Sequence, residues 1–158
     1  MTRDESSPAS HSEEPGSFRD RSGRIYYHDG SIYRGITEKV LADWKTLSAT
    51  KFFRNAVQAG KIIQTTEADP QTLQGNNLLQ SWPAVLKHQA IPFISYPYEW
   101  PFGMLKDAAL LHLELLEAAL NENMILKDSS SFNIQWMGSQ PRSEEHTSEL
   151  QSPYVISY

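Results

Sequence analysis

The sequence predicts an α+β fold that is arranged in part like a protein kinase and is truncated at its end. Three observations lead to this prediction: an early hairpin, a long helix in the second half, and a strand–loop–strand pattern after that helix. No segment of the chain repeats another.

Two β-rich runs, residues 25–27 and 32–34, predict the hairpin. They lie on either side of an Asp29-Gly30 turn. Asp-Gly is a strong hairpin signal because the two central residues of the tightest turn both need a positive φ.

Two amphipathic helices are predicted next, over residues 37–47 and 49–59, and Gly60 ends the second of them. Residues 62–66 are rich in β-branched side chains and predict a strand. Residues 67–82 are mostly polar and contain turn-forming residues, so they predict a connecting segment.

Residues 85–88 and 91–96 predict two further strands. Pro92 would need an edge or terminal position in the sheet, because proline has no N–H to donate. Residues 97–102 predict a rigid aromatic loop. The helix predicted over residues 103–121 is apolar on two opposite sides, so we expect it to be packed on most of its surface.

A pair of polar residues provides the candidate catalytic site. Short predicted strands, residues 124–126 and 134–136, flank a loop that contains Asp128 and Asn133. Protein kinases use the same D-x-x-x-x-N spacing for the Asp that accepts the substrate proton and the Asn that binds magnesium. Asp128 and Asn133 are therefore candidate catalytic residues of a small-molecule phosphotransferase.

Other observations favour a structural role for the pair. The His-Arg that usually precedes the kinase Asp is absent, and the early hairpin carries no Gly-rich phosphate loop. Asp and Asn also commonly cap local backbone and stabilise turns.

Composition limits the other functions. Residues 1–17 are acidic and almost free of apolar side chains, which predicts a disordered tail. Residues 18–141 hold as many basic as acidic side chains, so we predict no nucleic-acid partner. The chain has no cysteine, no signal-peptide pattern and no apolar run long enough for a membrane, which together predict a cytoplasmic protein.

Residues 142–158 resemble the translation of a common short-read sequencing adapter. The matching run is RSEEHTSELQS, residues 142–152, and the adapter's later bases account for Ile156-Ser157-Tyr158. We therefore interpret residues 142–158 as an artefact rather than a domain. A short capped helix is the alternative interpretation of residues 143–152.

Three motifs resemble one bacterial family. They are residues 91–110 (IPFISYPYEWPFGMLKDAAL), 124–128 (MILKD) and 132–136 (FNIQW); two shorter matches precede them, FRDRSG at residues 18–23 and YRG at 33–35. Together they are similar to the N-terminal part of a family of class I SAM-dependent methyltransferases, some of whose members carry nodulation-type names.

This resemblance implies that residues 18–141 are the N-terminal α+β region of a methyltransferase-type protein. The family's Rossmann-like domain, with its Gly-rich SAM loop, would follow further along the chain, and it would be this region's partner in methylating an unidentified acceptor. No Gly-x-Gly-x-x-Gly follows a strand here. We therefore expect this chain to bind no cofactor, whereas its full-length parent would bind S-adenosyl-L-methionine. The remaining alternative is a non-catalytic interaction module.

Two other groups of residues are candidates for a binding site. His28, His88 and His112 lack paired ligand spacing, so we predict no metal site. An aromatic group in the loop before the long helix could form a ligand-stacking wall or a partner surface, or could be ordinary core and interdomain packing. Its members are Tyr96, Tyr98, Trp100 and Phe102.

Overall fold

The computed structural model describes residues 12–15, 17, 21–73, 77–126 and 130–144. Helices and an antiparallel sheet are both present, which confirms the α+β prediction. The chain forms two compact units, each built from two stretches of sequence. The first unit is Met1–Glu38 with Thr66–His88, and the second is Lys39–Thr65 with Gln89–Tyr158.

The first unit contains a five-stranded sheet. Its strands are β1 (Ser12–Glu13), β2 (Gly23–His28), β3 (Ser31–Ile36), β4 (Thr65–Glu67) and β5 (Ala84–His88), in the spatial order β1-β2-β3-β5-β4. The predicted hairpin is β2–β3, paired antiparallel from Gly23–Ile36 to His28–Ser31. Asp29 and Gly30 have φ values of 47° and 69°, as a tight two-residue turn requires.

A small apolar core lies against this sheet. It consists of Tyr26, Tyr33, Leu73, Leu79 and Val85. The leucines come from a 3₁₀ helix (Pro70–Leu73) and α3 (Asn77–Gln80), which lie within the predicted connecting segment. Each of these two short elements has a single buried leucine among polar neighbours. Hydrophobic periodicity therefore does not predict them.

Helices dominate the second unit. They are α1 (Glu38–Ala49), α2 (Lys51–Gln58) and α4 (Phe102–Leu120), and they accompany a hairpin of β6 (Ile134–Met137) and β7 (Gln140–Ser143). Their core is a cluster of thirteen buried residues: Leu47, Phe52, Phe53, Ala56, Ile62, Trp100, Ala108, Leu111, Leu115, Ala119, Met124, Leu126 and Ile134.

Two side chains accept hydrogen bonds from N–H groups at the start of α2, which have no acceptor within the helix. Thr50 accepts a hydrogen bond from the N–H of Phe53 at 3.1 Å. The Glu122 carboxylate, from the turn after α4, accepts from the N–H groups of Lys51 and Phe52. A carboxylate at this position also interacts favourably with the positive end of the helix dipole.

Three predicted strands differ from the structure. Residues 91–96 are irregular, residues 124–126 are not part of a named strand, and the strand predicted at 62–66 begins only at Thr65. Apolar runs of this length mark burial without specifying a sheet partner, since Met124 and Leu126 are buried in the helical core instead.

The prediction that α4 is packed on most sides is wrong. Ala108, Leu111, Leu115 and Ala119 are buried, whereas the opposite side of the helix is exposed.

Both ends of the described region contribute strands. Ser12 and Glu13, within the predicted disordered tail, pair with Tyr27 and Tyr26. This pairing needs no apolar side chains, because it joins main-chain groups, and the Tyr27 hydroxyl adds a hydrogen bond to the Glu14 carboxylate at 3.0 Å.

At the other end, Arg142 and Ser143 complete β7. They are the first two residues of the segment interpreted as adapter-derived, and the pairing of β7 with β6 likewise joins main-chain groups. That interpretation of residues 142–158 stays a prediction.

Candidate functional site

The loop before α4 is held in place by buried hydrogen bonds. The indole N–H of Trp100 donates to the Ser95 hydroxyl at 2.9 Å, and the N–H of Ser95 donates to the side-chain carbonyl of Gln135 at 3.0 Å. All three residues are buried. The rings of Trp100 and Trp136 also meet edge to face, with their centroids 5.9 Å apart. This loop is therefore fixed to β6 by polar and aromatic contacts.

A second set of hydrogen bonds shapes the tip of the loop. The Glu99 carboxylate accepts from the N–H of Tyr96 at 2.9 Å, and the N–H of Glu99 donates to the Tyr96 carbonyl at 2.8 Å. The 3₁₀ helix Pro97–Glu99 begins with a proline, whose fixed φ favours this turn. The conformation of the tip is thus set by its own residues.

Four aromatic side chains on this loop and at the first position of α4 are exposed, and we call them the aromatic surface: Phe93, Tyr96, Tyr98 and Phe102. Phe93, Tyr98 and Phe102 keep 75%, 76% and 80% of their accessible area. The rings of Tyr96 and Tyr98 are stacked, with an interplanar angle of 4° and centroids 5.4 Å apart. Core packing therefore accounts for Trp100 alone among the four aromatic residues considered from the sequence.

The structure describes one of the two candidate catalytic residues. Asn133 is half-buried at the end of the 3₁₀ helix Ser131–Asn133; its N–H donates to the Ser130 carbonyl at 3.0 Å, and its carbonyl accepts from Glu144 at 2.8 Å. Asp128 lies outside the described residues. The Asp128–Asn133 constellation stays a prediction, and the main-chain bonds of Asn133 serve the turn around β6 and β7.

His28, His88 and His112 belong to three different elements. His28 and His88 belong to the sheet unit, on β2 and β5, and His112 belongs to α4. Burial, with a smaller contribution from the Arg34 charge, lowers the pKa of His88 to about 3, so its imidazole is neutral near pH 7. Among the described residues, no three His, Asp or Glu side chains are grouped so that they could hold a metal ion.

Sequence reasoning missed Phe93 and the bond between Ser95 and Gln135. Residues 91–96 are predicted as a strand, which would place Phe93 in a ladder. The Gln135 contact joins residues forty positions apart, and no local pattern signals it.

The fold and the site together define an α+β protein that presents exposed aromatic side chains on a rigid loop. In a search of curated proteins, the chain is similar to "Nodulation protein NoeA" of Rhizobium meliloti (strain 1021), at 35% identity over 136 residues. The match covers 84% of this chain and 27% of that relative, so the chain spans about a quarter of the relative's length.

Two other comparisons gave no match. No protein-family profile and no solved structure matches the chain, so the kinase-like arrangement stays a prediction.

In the part of the chain that the structure describes, every helix is too short or too polar to cross a membrane.

Proposed function

We propose that this chain is an accessory part of a larger NoeA-like protein, and that it binds a substrate or positions a catalytic domain rather than performing chemistry. The similarity to a relative of which the match covers only 27% supports the first half of the proposal. In the proposed whole protein, a methyltransferase domain outside this chain binds S-adenosyl-L-methionine and transfers its methyl group to the acceptor. The proposed location is the cytoplasm, which suits a chain without cysteine.

The observation that carries the binding role is the aromatic surface. Fully burying one aromatic side chain contributes roughly 1.5–3 kcal/mol, so leaving Phe93, Tyr98 and Phe102 exposed forgoes several kcal/mol of folding energy. The loop beneath them is rigid, and ordering it therefore costs little when a partner binds. Exposed aromatic rings on a preorganised support are typical of a binding surface.

Titration calorimetry with S-adenosyl-L-methionine tests whether this chain or the domain outside it binds the cofactor. We expect no binding to this chain and binding to the whole protein, cloned from the source locus. Binding of the cofactor to this chain would overturn the proposal. Turnover of Mg·ATP by this chain would overturn it as well, and would favour the phosphotransferase alternative based on Asp128 and Asn133.

Methyl transfer by the whole protein tests the aromatic surface. With radiolabelled S-adenosyl-L-methionine and an extract of the source organism, we expect the double change Tyr98→Ser and Phe102→Ser to lower the rate about tenfold or more. Cofactor affinity is expected to be unchanged. The matched control is Leu78→Ser, which alters an exposed apolar residue of the other unit. A wild-type rate in the double variant would exclude the aromatic surface from binding.

Sequencing the source locus tests the proposal that residues 142–158 derive from an adapter. A primer within the α4 codons, read through codon 141, is expected to leave the adapter frame and to reach a Gly-rich strand–loop–helix. If the same seventeen codons occur in the genome, the adapter interpretation fails and those residues are native.

A further inference from the structure

The outer side of α4 carries a stripe of exposed leucines. Leu110, Leu113 and Leu120 keep 52%, 62% and 50% of their accessible area. They lie on the side opposite the buried residues of the same helix. Leucine exposed at three positions of one helix face is unfavourable in water and is typical of a contact surface.

The spacing along this stripe is that of a coiled coil. Intervals of three and four residues alternate through six exposed positions: Gly103, Lys106, Leu110, Leu113, Glu117 and Leu120. These spacings match the a and d positions of a heptad, three of which are leucine here; in a coiled coil each a or d residue inserts between residues of a facing helix. The repeat runs over nearly the whole length of α4.

We propose that a second copy of this chain covers the stripe, with its α4 antiparallel to the first. Antiparallel coiled coils place an a position opposite a d position. Centred between residues 111 and 112, that register places Leu110 opposite Leu113, Lys106 opposite Glu117 and Gly103 opposite Leu120 of the second copy. Two-fold symmetry repeats every pair, as a dimer interface requires.

Charge selects this orientation. In a parallel pair, Lys106 would face Lys106 and Glu117 would face Glu117, and both contacts are repulsive. The antiparallel register converts them into two Lys–Glu pairs on either side of the leucine layers. The same register also places Gly103, which has no side chain, opposite the large side chain of Leu120. The stripe is therefore complementary to its own inverted copy.

The residues beside the stripe are compatible with this pairing. On one side lie Ala109 and Leu116, which widen the apolar contact. On the other side lie Asp107 and Glu114, and the Glu114 carboxylate already forms an ion pair with the Lys61 ammonium of its own chain. That lysine offsets the repulsion between the acidic side chains of the two copies.

Exchanging the charges of Lys106 and Glu117 distinguishes a contact between two copies from a contact within one copy. Lys106 and Glu117 are eleven residues apart, or roughly 16 Å along a helix, so they form no pair within one copy. Lys106→Glu and Glu117→Lys each produce like charges across the interface. The double variant restores opposite charges, and a mixture of the two single variants does so as a heterodimer.

Sedimentation velocity of the full chain tests the proposal at concentrations up to roughly 100 μM, where a weak dimer with a micromolar dissociation constant is populated. We expect a concentration-dependent dimer, and we expect Lys106→Glu to weaken it about tenfold or more. The double exchange and the mixture of single variants are expected to restore it. Lys39→Glu, an exposed site on α1 with the same change of charge, is the matched control and leaves the dimer intact.

Leu113→Lys provides a second variant that folds, because the side chain is exposed, and we expect it to sediment as a monomer with unchanged helicity. A wild-type chain that stays monomeric at the highest concentration would overturn the proposal and leave the stripe to another partner. A dimer that the double exchange fails to restore would overturn the antiparallel register.

Discussion

Gly35 lies directly beneath the indole ring of Trp82. A Cβ atom placed on Gly35 would stand 2.2 Å from Cδ1 of that ring, far inside van der Waals contact. The position of the ring is fixed by its N–H, which donates to the Tyr26 hydroxyl at 2.9 Å. The sheet and the segment that covers it therefore approach each other at a residue without a side chain.

Gly35→Ala is expected to destabilise the protein by about 1–3 kcal/mol, because the ring must rotate away and lose its bond to Tyr26. Urea unfolding followed by circular dichroism measures the change. Gly103→Ala serves as the control in a dilute, monomeric sample: nothing in the same chain lies within 4 Å of its added Cβ, and alanine favours a helix. Equal stability of the Gly35 variant and the wild type would show that the ring shifts at no cost.

Gln135→Ala is expected to cost about 1–3 kcal/mol, because it leaves the buried N–H of Ser95 without its acceptor. The fluorescence of Trp100 is also expected to shift as the loop loosens. Gln140→Ala removes the same functional group from an exposed position on β7 and should leave stability within about 0.5 kcal/mol. Equal losses in the two variants would contradict a specific role for Gln135.

Stability is expected to fall as the pH drops below 6.5. The pKa of His88 is lowered to about 3 in the folded protein, so between these values the unfolded chain binds a proton that the folded chain does not. The contribution is fully present above pH 6.5 and decreases by up to about 1.4 kcal/mol per pH unit below it. Burial also lowers the pKa of His112, which adds to the same slope.

Urea unfolding at a series of pH values measures this slope in the wild type and in His88→Gln. The variant is expected to lose most of the pH dependence between 4.5 and 6.5. An unchanged slope in the variant would show that His88 is accessible to protons in the folded state.

Leu115→Ala and Leu113→Ala compare the two sides of α4 with the same chemical change. Leu115 is fully buried, so its truncation is expected to cost about 2–5 kcal/mol. Leu113 is exposed, and its truncation should change the stability of a dilute sample by less than about 0.5 kcal/mol. The reverse order would mean that the helix is rotated about its axis.

Local sequence predicted the hairpin and the long helix well. The Asp29-Gly30 turn specifies its own geometry, and β2 and β3 are adjacent in the chain. The extent of α4 follows from its periodicity, but the side that packs does not. Leucines lie on both sides, and only contacts with distant segments decide which side is covered.

The candidate site was less predictable. Residues 91–96 are predicted as a strand, yet Ser95 bonds to a side chain on β6 instead of entering a ladder. The exposure of Tyr98 and Phe102 depends on which other segments reach the loop, and composition carries no information on that point. The Asp128–Asn133 spacing remains untested, because the described residues include only Asn133.

The division of each unit into two stretches has a consequence for folding during synthesis. The sheet unit is complete once His88 has been made, but by then α1 and α2 have already been synthesised as an insertion between its two halves. Their core partners Leu111 and Leu115 come later along the chain. A ribosome therefore produces a finished sheet while two amphipathic helices still expose their apolar sides, and this intermediate is the species most prone to aggregate or to recruit a chaperone.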